Sequence, residues 1–208
     1  MRAMKLFTRA GACSNADHVL LEWTGAPYDV EILTREQQDA DPYRAVNPAG
    51  TVPALLDGDT LIVQNAAVMS YIADAFPGAG FWGDGLPADR ARVVQWIAYA
   101  NSDVHPAFGP LFAPAAFADE GREDELAAHA RGRIRGMYAK ADARLAESPW
   151  LAGAFRSGGD AYLWITLTWA EKFGVDVSGY DHLAAFRRRM DADPGVRAVL
   201  DQVAAATG

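Results

Sequence analysis

The first third of the chain changes its hydrophobic period repeatedly, whereas the remainder keeps a single one. Lys5-Leu6-Phe7 predicts a strand, Asn15 to Trp23 an amphipathic helix, Tyr28-Asp29-Val30-Glu31-Ile32 an alternating strand, and Pro53-Ala54-Leu55-Leu56 another. Asp57-Gly58-Asp59 is a turn signal, so this last strand and Leu61-Ile62-Val63 are expected to pair as an antiparallel hairpin. A helix follows from about Asn65 to Phe76. Between Pro77 and Pro87 glycine and proline interrupt both periodicities, which predicts a boundary between an α/β domain over residues 1–81 and an all-α domain over residues 87–208. In the second domain Ala88 to Phe117, Glu123 to Leu145, Ala161 to Phe173, Leu183 to Ala192 and Val196 to Ala205 carry apolar residues at three and four spacing, as a helical bundle requires.

Two starts are marked locally. Ser157 and Asp160 stand three apart just before an apolar run, and Asp193-Pro194 offers a capping acceptor with proline at the first helical position. Within the long first helix of the bundle, Val93, Ile97, Ala100, Val104, Ala107 and Leu111 form an unbroken apolar stripe of core type. The neighbouring stripe, Val94, Ala98, Asn101, His105, Phe108 and Phe112, sets two polar side chains among aromatics, the lining of a cleft wall. Pro106, Pro110 and Pro114 then predict a kink or an end, with His105 pushed out of helical geometry by the proline after it.

Composition narrows the functional classes. Half of the 208 residues are apolar, enough for a sizeable core, and a net charge of −8 with dispersed Lys and Arg gives no basic stripe for nucleic acid or an anionic membrane. The apolar segment behind Met1-Arg2-Ala3-Met4 breaks at Thr8 and Arg9, too short for a signal-peptide core, and no run reaches membrane-spanning length, so a cytoplasmic location is expected. Cys13 is the single cysteine, which excludes an internal disulfide, a CxxC redox cycle and a closed thiolate zinc site, and no metal is expected.

Candidate chemistry falls on a few positions. Cys13 lies where the first strand turns into the first helix; free amides and the helix dipole there favour a thiolate, although a small buried residue without chemistry fits the same place. Val52-Pro53 admits a cis peptide that would turn the Val52 backbone outward to pair with an extended peptide, or is simply an edge-strand proline. Asn65 caps the helix that follows it, alone or together with Gln64 as a cradle for a carboxylate. His105 is either a satisfied interface histidine or part of the cleft, and the aromatics Tyr162, Trp164 and Trp169 read as core, the two tryptophans also as neighbours of an apolar pocket.

In order and spacing, Lys5-Leu6-Phe7, Gly11-Ala12-Cys13-Ser14, Asn47-Pro48-Ala49-Gly50-Thr51-Val52-Pro53-Ala54-Leu55 and Gln64-Asn65-Ala66-Ala67-Val68 closely resemble the N-terminal domain of a beta-class bacterial glutathione transferase. Trp96 to His105, Pro110-Leu111-Phe112 and Asp160-Ala161-Tyr162-Leu163 continue the likeness over nearly the whole chain, although Thr8 stands where many relatives have tyrosine and Asn65 where they have glycine or serine. The resemblance implies a thioredoxin-like glutathione-binding domain, an all-helical domain carrying a hydrophobic-substrate pocket, and a homodimer. It implies glutathione as co-substrate and conjugation to small apolar electrophiles, a detoxifying activity, with Cys13 and His105 at the sulfur. Arg35, Val52, Pro53, Gln64 and Asn65 would hold the rest of glutathione, and Phe108, Phe112 and Trp164 the electrophile. Thiol-disulfide exchange or peroxide reduction through Cys13, and a non-catalytic binding protein of the same fold, are the alternative readings.

Overall fold

The computed structural model describes residues 4–117 and 120–207; residues 1–3, 118, 119 and 208, at the edges of expected segments, lie outside it. A four-stranded sheet is built from β1 (Met4–Thr8), β2 (Tyr28–Ile32), β3 (Ala54–Asp57) and β4 (Thr60–Val63), in the order β2-β1-β3-β4. β1 and β2 are parallel, as a strand pair joined by a crossover helix must be, and here the crossover is α1 (Asn15–Thr24). β3 runs antiparallel to both β1 and β4, with Leu55 opposite Leu6 on one side and Ile62 on the other, so the expected hairpin forms, its strands reaching one residue further into the turn, to Asp57 and from Thr60. Two short helices, α2 (Arg35–Asp39) and α3 (Asp41–Val46), occupy the stretch before Asn47 that carried no clear period. α4 (Asn65–Ala75) closes this thioredoxin-like unit.

Alternation along the strands gives the sheet two buried faces. Leu6 and Leu55 point toward α1 and α4, while Phe7 and Ala54 point the other way, onto Leu33 and Tyr43 of the α2–α3 side. The first face belongs to a cluster that continues without interruption into the helical part, through Val19 and Leu20 to Tyr162, Trp164 and Val199.

That helical part comprises α5 (Pro87–Ala98), α6 (His105–Ala107), α7 (Gly109–Phe112), α8 (Glu123–Glu147), α9 (Gly158–Lys172), α10 (Asp181–Asp191) and α11 (Pro194–Thr207). α9 is buried on nearly every side from Gly158 to Leu167, and Gly159 lets it approach α5: a Cβ there would stand 2.7 Å from that of Trp96. The stripe from Val93 to Leu111 is core, as its pattern requires.

The expected kink is resolved in an unforeseen manner. After α5 the backbone widens into a π-helix over Tyr99–Val104, and three short helical turns follow. Each of Pro106, Pro110 and Pro114 falls at the first or second position of its own segment, where proline's fixed φ suits the helix. His105 itself is helical, with φ −58° and ψ −50°, against the preference expected before a proline. Its ring is packed against Trp169 and hydrogen-bonded to Tyr162, contacts that outweigh the local preference.

Candidate functional site

The turn between β1 and α1 is braced from within. Thr8 Oγ1 and Ser14 Oγ lie 2.7 Å apart, Asn15 Nδ2 donates to Thr8 Oγ1 at 3.0 Å, and Asn15 Oδ1 accepts from the Gly11 amide at 2.8 Å. Gly11 has φ +68°, a conformation that only glycine adopts without cost. This bracing holds Cys13, half-buried, at the mouth of a cavity of about 350 Å³.

Opposite Cys13 lies Val52, whose peptide bond to Pro53 is cis, and whose carbonyl oxygen is 3.8 Å from the Cys13 sulfur. Thr51 and Gln64 extend this wall. Gln64 has φ +75°, where a non-glycine residue is held at a cost on the order of 1–3 kcal/mol, the kind of backbone strain that gathers at binding sites.

The facing wall is Asn101, His105, Pro106 and Tyr162. Nδ1 of His105 is 2.7 Å from the Tyr162 hydroxyl, which also reaches Asn101 Oδ1 at 3.3 Å. Burial holds the His105 imidazole below its ordinary pKa, so it is neutral near pH 7, and burial together with the nearby Cys13 and Asp17 pushes the Tyr162 phenol up. Beyond His105 stands an aromatic wall. The Trp169 ring centroid lies 4.8 Å from that of His105 and 5.2 Å from that of Phe112, and Phe108 and Phe173 pack behind.

Cys13 departs from expectation. Burial, with the Asp17 carboxyl as second cause, pushes its thiol up to about 12, outweighing the amides of Ser14 and of Cys13 itself that pull the other way. A position ahead of a helix lowers a thiol pKa only when the sulfur keeps enough solvent or cationic company to pay for its charge.

The chain matches the glutathione S-transferase N-terminal domain over residues 12–75 and the glutathione S-transferase C-terminal domain over residues 104–194. Glutathione S-transferase GST-4.5 of Xanthomonas campestris pv. campestris is 44% identical over 95% of this chain and 97% of its own length. The chain belongs to the glutathione S-transferase family. Among solved structures of that family, the glutathione S-transferase from Xylella fastidiosa superposes with a TM-score of 0.93 at 47% identity, covering 97% of this chain and 98% of its own. The bacterial beta-class glutathione S-transferase of Sphingomonas chungbukensis superposes with a TM-score of 0.84 at 33% identity, covering 96% of this chain and 98% of its own. Glutathione is the co-substrate of this transferase, and no helix among the described residues is long and apolar enough to cross a membrane.

Of the positions singled out from the transferase sequence, Cys13, Val52, Pro53, Gln64, Asn65 and His105 line one cavity. Asn65 does so in a different role from the one expected: its side chain does not cap α4 but crosses to α1, donating to the Cys13 carbonyl at 3.0 Å and to Asp17 Oδ2 at 2.9 Å. Arg35 is absent from the lining; it is exposed and paired with Asp39 at 3.1 Å, one turn along α2. Trp164 is also elsewhere, buried in the core with its Nε1 donating to Asp191 at 2.8 Å. The tryptophan packed behind His105 is Trp169, itself buried, and a signal for it exists: Tyr162, Trp169 and Phe173 share a helical face at spacings of seven and four, while Trp164 falls on the other side. Phe108 is fully buried behind the wall, and Phe112 is the aromatic that reaches solvent.

Proposed function

We propose that this glutathione S-transferase is a beta-class enzyme that binds the sulfur of glutathione between Cys13 and His105 and conjugates it to a small apolar electrophile held against the exposed Phe112. The observation that carries the reading is that residues from the two parts of the chain, Cys13, Val52 and Gln64 from the first and Asn101, His105 and Tyr162 from the second, line the same cavity. The beta-class assignment rests on the sequence pattern around Cys13 and His105 and on the likeness to the Sphingomonas enzyme.

In this reading the Val52 backbone pairs with the cysteinyl part of glutathione as an added strand would, and Gln64 and the start of α4 meet its γ-glutamyl end. The neutral His105 ring faces the sulfur through the nitrogen not engaged by Tyr162, either taking the thiol proton or donating to the sulfur anion. The glutathione sulfur then attacks the electrophilic carbon, the leaving group departs with its electron pair, and the protein supplies orientation and charge stabilisation. The protonated state of Cys13 argues against its acting as the attacking thiolate in exchange chemistry. A homodimer and a cytoplasmic location accompany the beta-class reading.

The test is calorimetric titration with reduced glutathione, followed by a conjugation assay on an aromatic halide, for the wild type, Cys13→Ala and His105→Ala. Binding with turnover that survives Cys13→Ala and falls in His105→Ala supports the reading; absence of glutathione binding in the wild type overturns it, and turnover lost only in Cys13→Ala returns the exchange reaction. Sedimentation of the same samples reads the oligomeric state.

A further inference from the structure

Asn101 is the polar residue of the cleft stripe to which the conjugation reaction gives no task. It sits half-buried in the π-helix, four positions before His105, and lines the same cavity. Its carboxamide oxygen is 3.3 Å from the Tyr162 hydroxyl, and that hydroxyl is 2.7 Å from Nδ1 of His105. The other rings around His105 are aromatic, with Trp169 at 4.8 Å and Phe112 at 6.4 Å between centroids, so among the described residues Tyr162 is its one hydrogen-bond partner. A carboxamide oxygen can only accept, and a phenol has one hydrogen to give. With that hydrogen on the Asn101 side, the phenol oxygen is free to accept, and Nδ1 must carry the proton that meets it. With it on the His105 side, two oxygens face each other at 3.3 Å with no hydrogen between them. Only the first arrangement satisfies both contacts.

We infer that Asn101 is a positioning residue that acts through Tyr162: by accepting the phenol hydrogen it fixes His105 as the Nδ1–H tautomer and leaves a lone pair on Nε2 for the thiol proton of glutathione. The tautomer of a neutral imidazole follows from the bond made at its engaged nitrogen, and burial keeps this ring neutral. In the step that follows, the S–H bond of glutathione breaks, its electron pair stays on sulfur and its proton passes to Nε2. The ring then carries a positive charge, and each link behind it already points the right way. Nδ1–H faces the Tyr162 oxygen and the Tyr162 hydrogen faces the carboxamide oxygen, so no group has to turn over as the charge forms. Loss of the added proton to water restores the ring. An apolar side chain at 101 would leave the Tyr162 hydrogen to His105, which would then offer the sulfur an N–H and no base.

This role rests on reading the cavity as the glutathione site, but the tautomer is measured without glutathione, so the two can fail separately. Two-bond nitrogen–proton correlation NMR of the ligand-free, isotope-labelled protein at about pH 8, above the ordinary histidine range, tells the two neutral tautomers apart. His105→Gln identifies the signals of this ring among those of the four histidines. The wild type is expected as Nδ1–H. Asn101→Leu, which keeps the bulk and removes the acceptor, is expected to shift the tautomer ratio roughly fivefold or more toward Nε2–H, the factor that one ordinary hydrogen bond supplies. Asn101→Asp, which keeps an acceptor oxygen, is expected to retain the wild-type tautomer. An Nε2–H ring in the wild type, a result that needs no variant, would overturn the inference. So would an unchanged ratio in Asn101→Leu, or an Asn101→Asp ring that shifts as the leucine variant does.

Discussion

Tyr162 has a single hydroxyl hydrogen and two partners, His105 Nδ1 at 2.7 Å and Asn101 Oδ1 at 3.3 Å. Whichever nitrogen of a neutral imidazole is engaged decides what the other can do, so Tyr162 sets whether His105 presents a donor or an acceptor to the sulfur. Tyr162→Phe keeps the ring and its packing while removing that control. Conjugation is expected to lose about tenfold in kcat/KM, the range of one orienting hydrogen bond worth about 1.4 kcal/mol, with little change in thermal stability. Steady-state kinetics beside a melting curve checks it; an unchanged kcat/KM removes Tyr162 from the machinery. Cys13 and His105 were legible in the sequence because each stands where the pattern breaks, one at a strand-to-helix turn and one among prolines. Tyr162 was not, because its hydroxyl meets His105 from 57 positions further along the chain and lies inside an apolar run that reads as core.

The helices carry their own determinants. Asp160 at the start of α9 accepts from the Ser157 amide at 2.8 Å, from Ser157 Oγ at 3.0 Å and from the Leu151 amide at 2.9 Å, all buried. Asp160→Ala leaves two buried amides without partners in the most enclosed helix of the molecule, and the expected loss is roughly 3 kcal/mol, read from urea midpoints. The serine and acid three apart made this start legible, since capping is local chemistry. The π-helix over Tyr99–Val104 was illegible, because its cause is not the local sequence alone but the seating of His105 against α9.

A second element-scale device joins α1 to α11. His18 Nε2 lies 3.0 Å from the Tyr28 hydroxyl and 3.1 Å from Gln202 Oε1, and burial holds its pKa down to about 4. A histidine more acidic folded than unfolded takes up its proton first in the unfolded state. Its stabilising contribution is therefore complete above the ordinary histidine range near 6.5 and is lost as pH falls toward about 4, a difference of roughly 3 kcal/mol. Asp160, pushed up to about 6 by burial, works in the opposite sense over part of the same window, so the raw stability curve mixes the two. The contribution of His18 is read as a difference: relative to His18→Gln, the wild type is expected to lose stability between about pH 7 and pH 4. Parallel curves for the two proteins would show that His18 does not titrate in this manner.

At the scale of the molecule, the boundary expected at residues 77–87 does not divide the packing. The glycines and prolines there end one periodicity and begin another, which is all that a pattern of residues can record. The core, by contrast, runs from Leu6 and Val19 on one side of that boundary to Leu163 and Val199 on the other as one cluster. Polar bonds cross it as well: Trp169 Nε1 donates to the Gly11 carbonyl at 2.9 Å, and Trp23 Nε1 to Asp193 at 2.7 Å. Neither part can separate without exposing α1 on the faces that meet α9 and α11, so the two are expected to unfold together. The chain supplies a probe for each: five of its six tryptophans lie beyond residue 81, while Cys13, the sole cysteine, lies in the first part. Urea midpoints from tryptophan fluorescence and from the accessibility of Cys13 to alkylation should coincide in the wild type. Trp169→Phe, which removes the bond to Gly11 and keeps an aromatic ring, should lower both by the same amount, equivalent to about 1 kcal/mol. Cys13 becoming reactive at a lower urea concentration than the fluorescence change would mean that the thioredoxin-like part opens by itself, and that the shared core does not bind the halves into one cooperative unit.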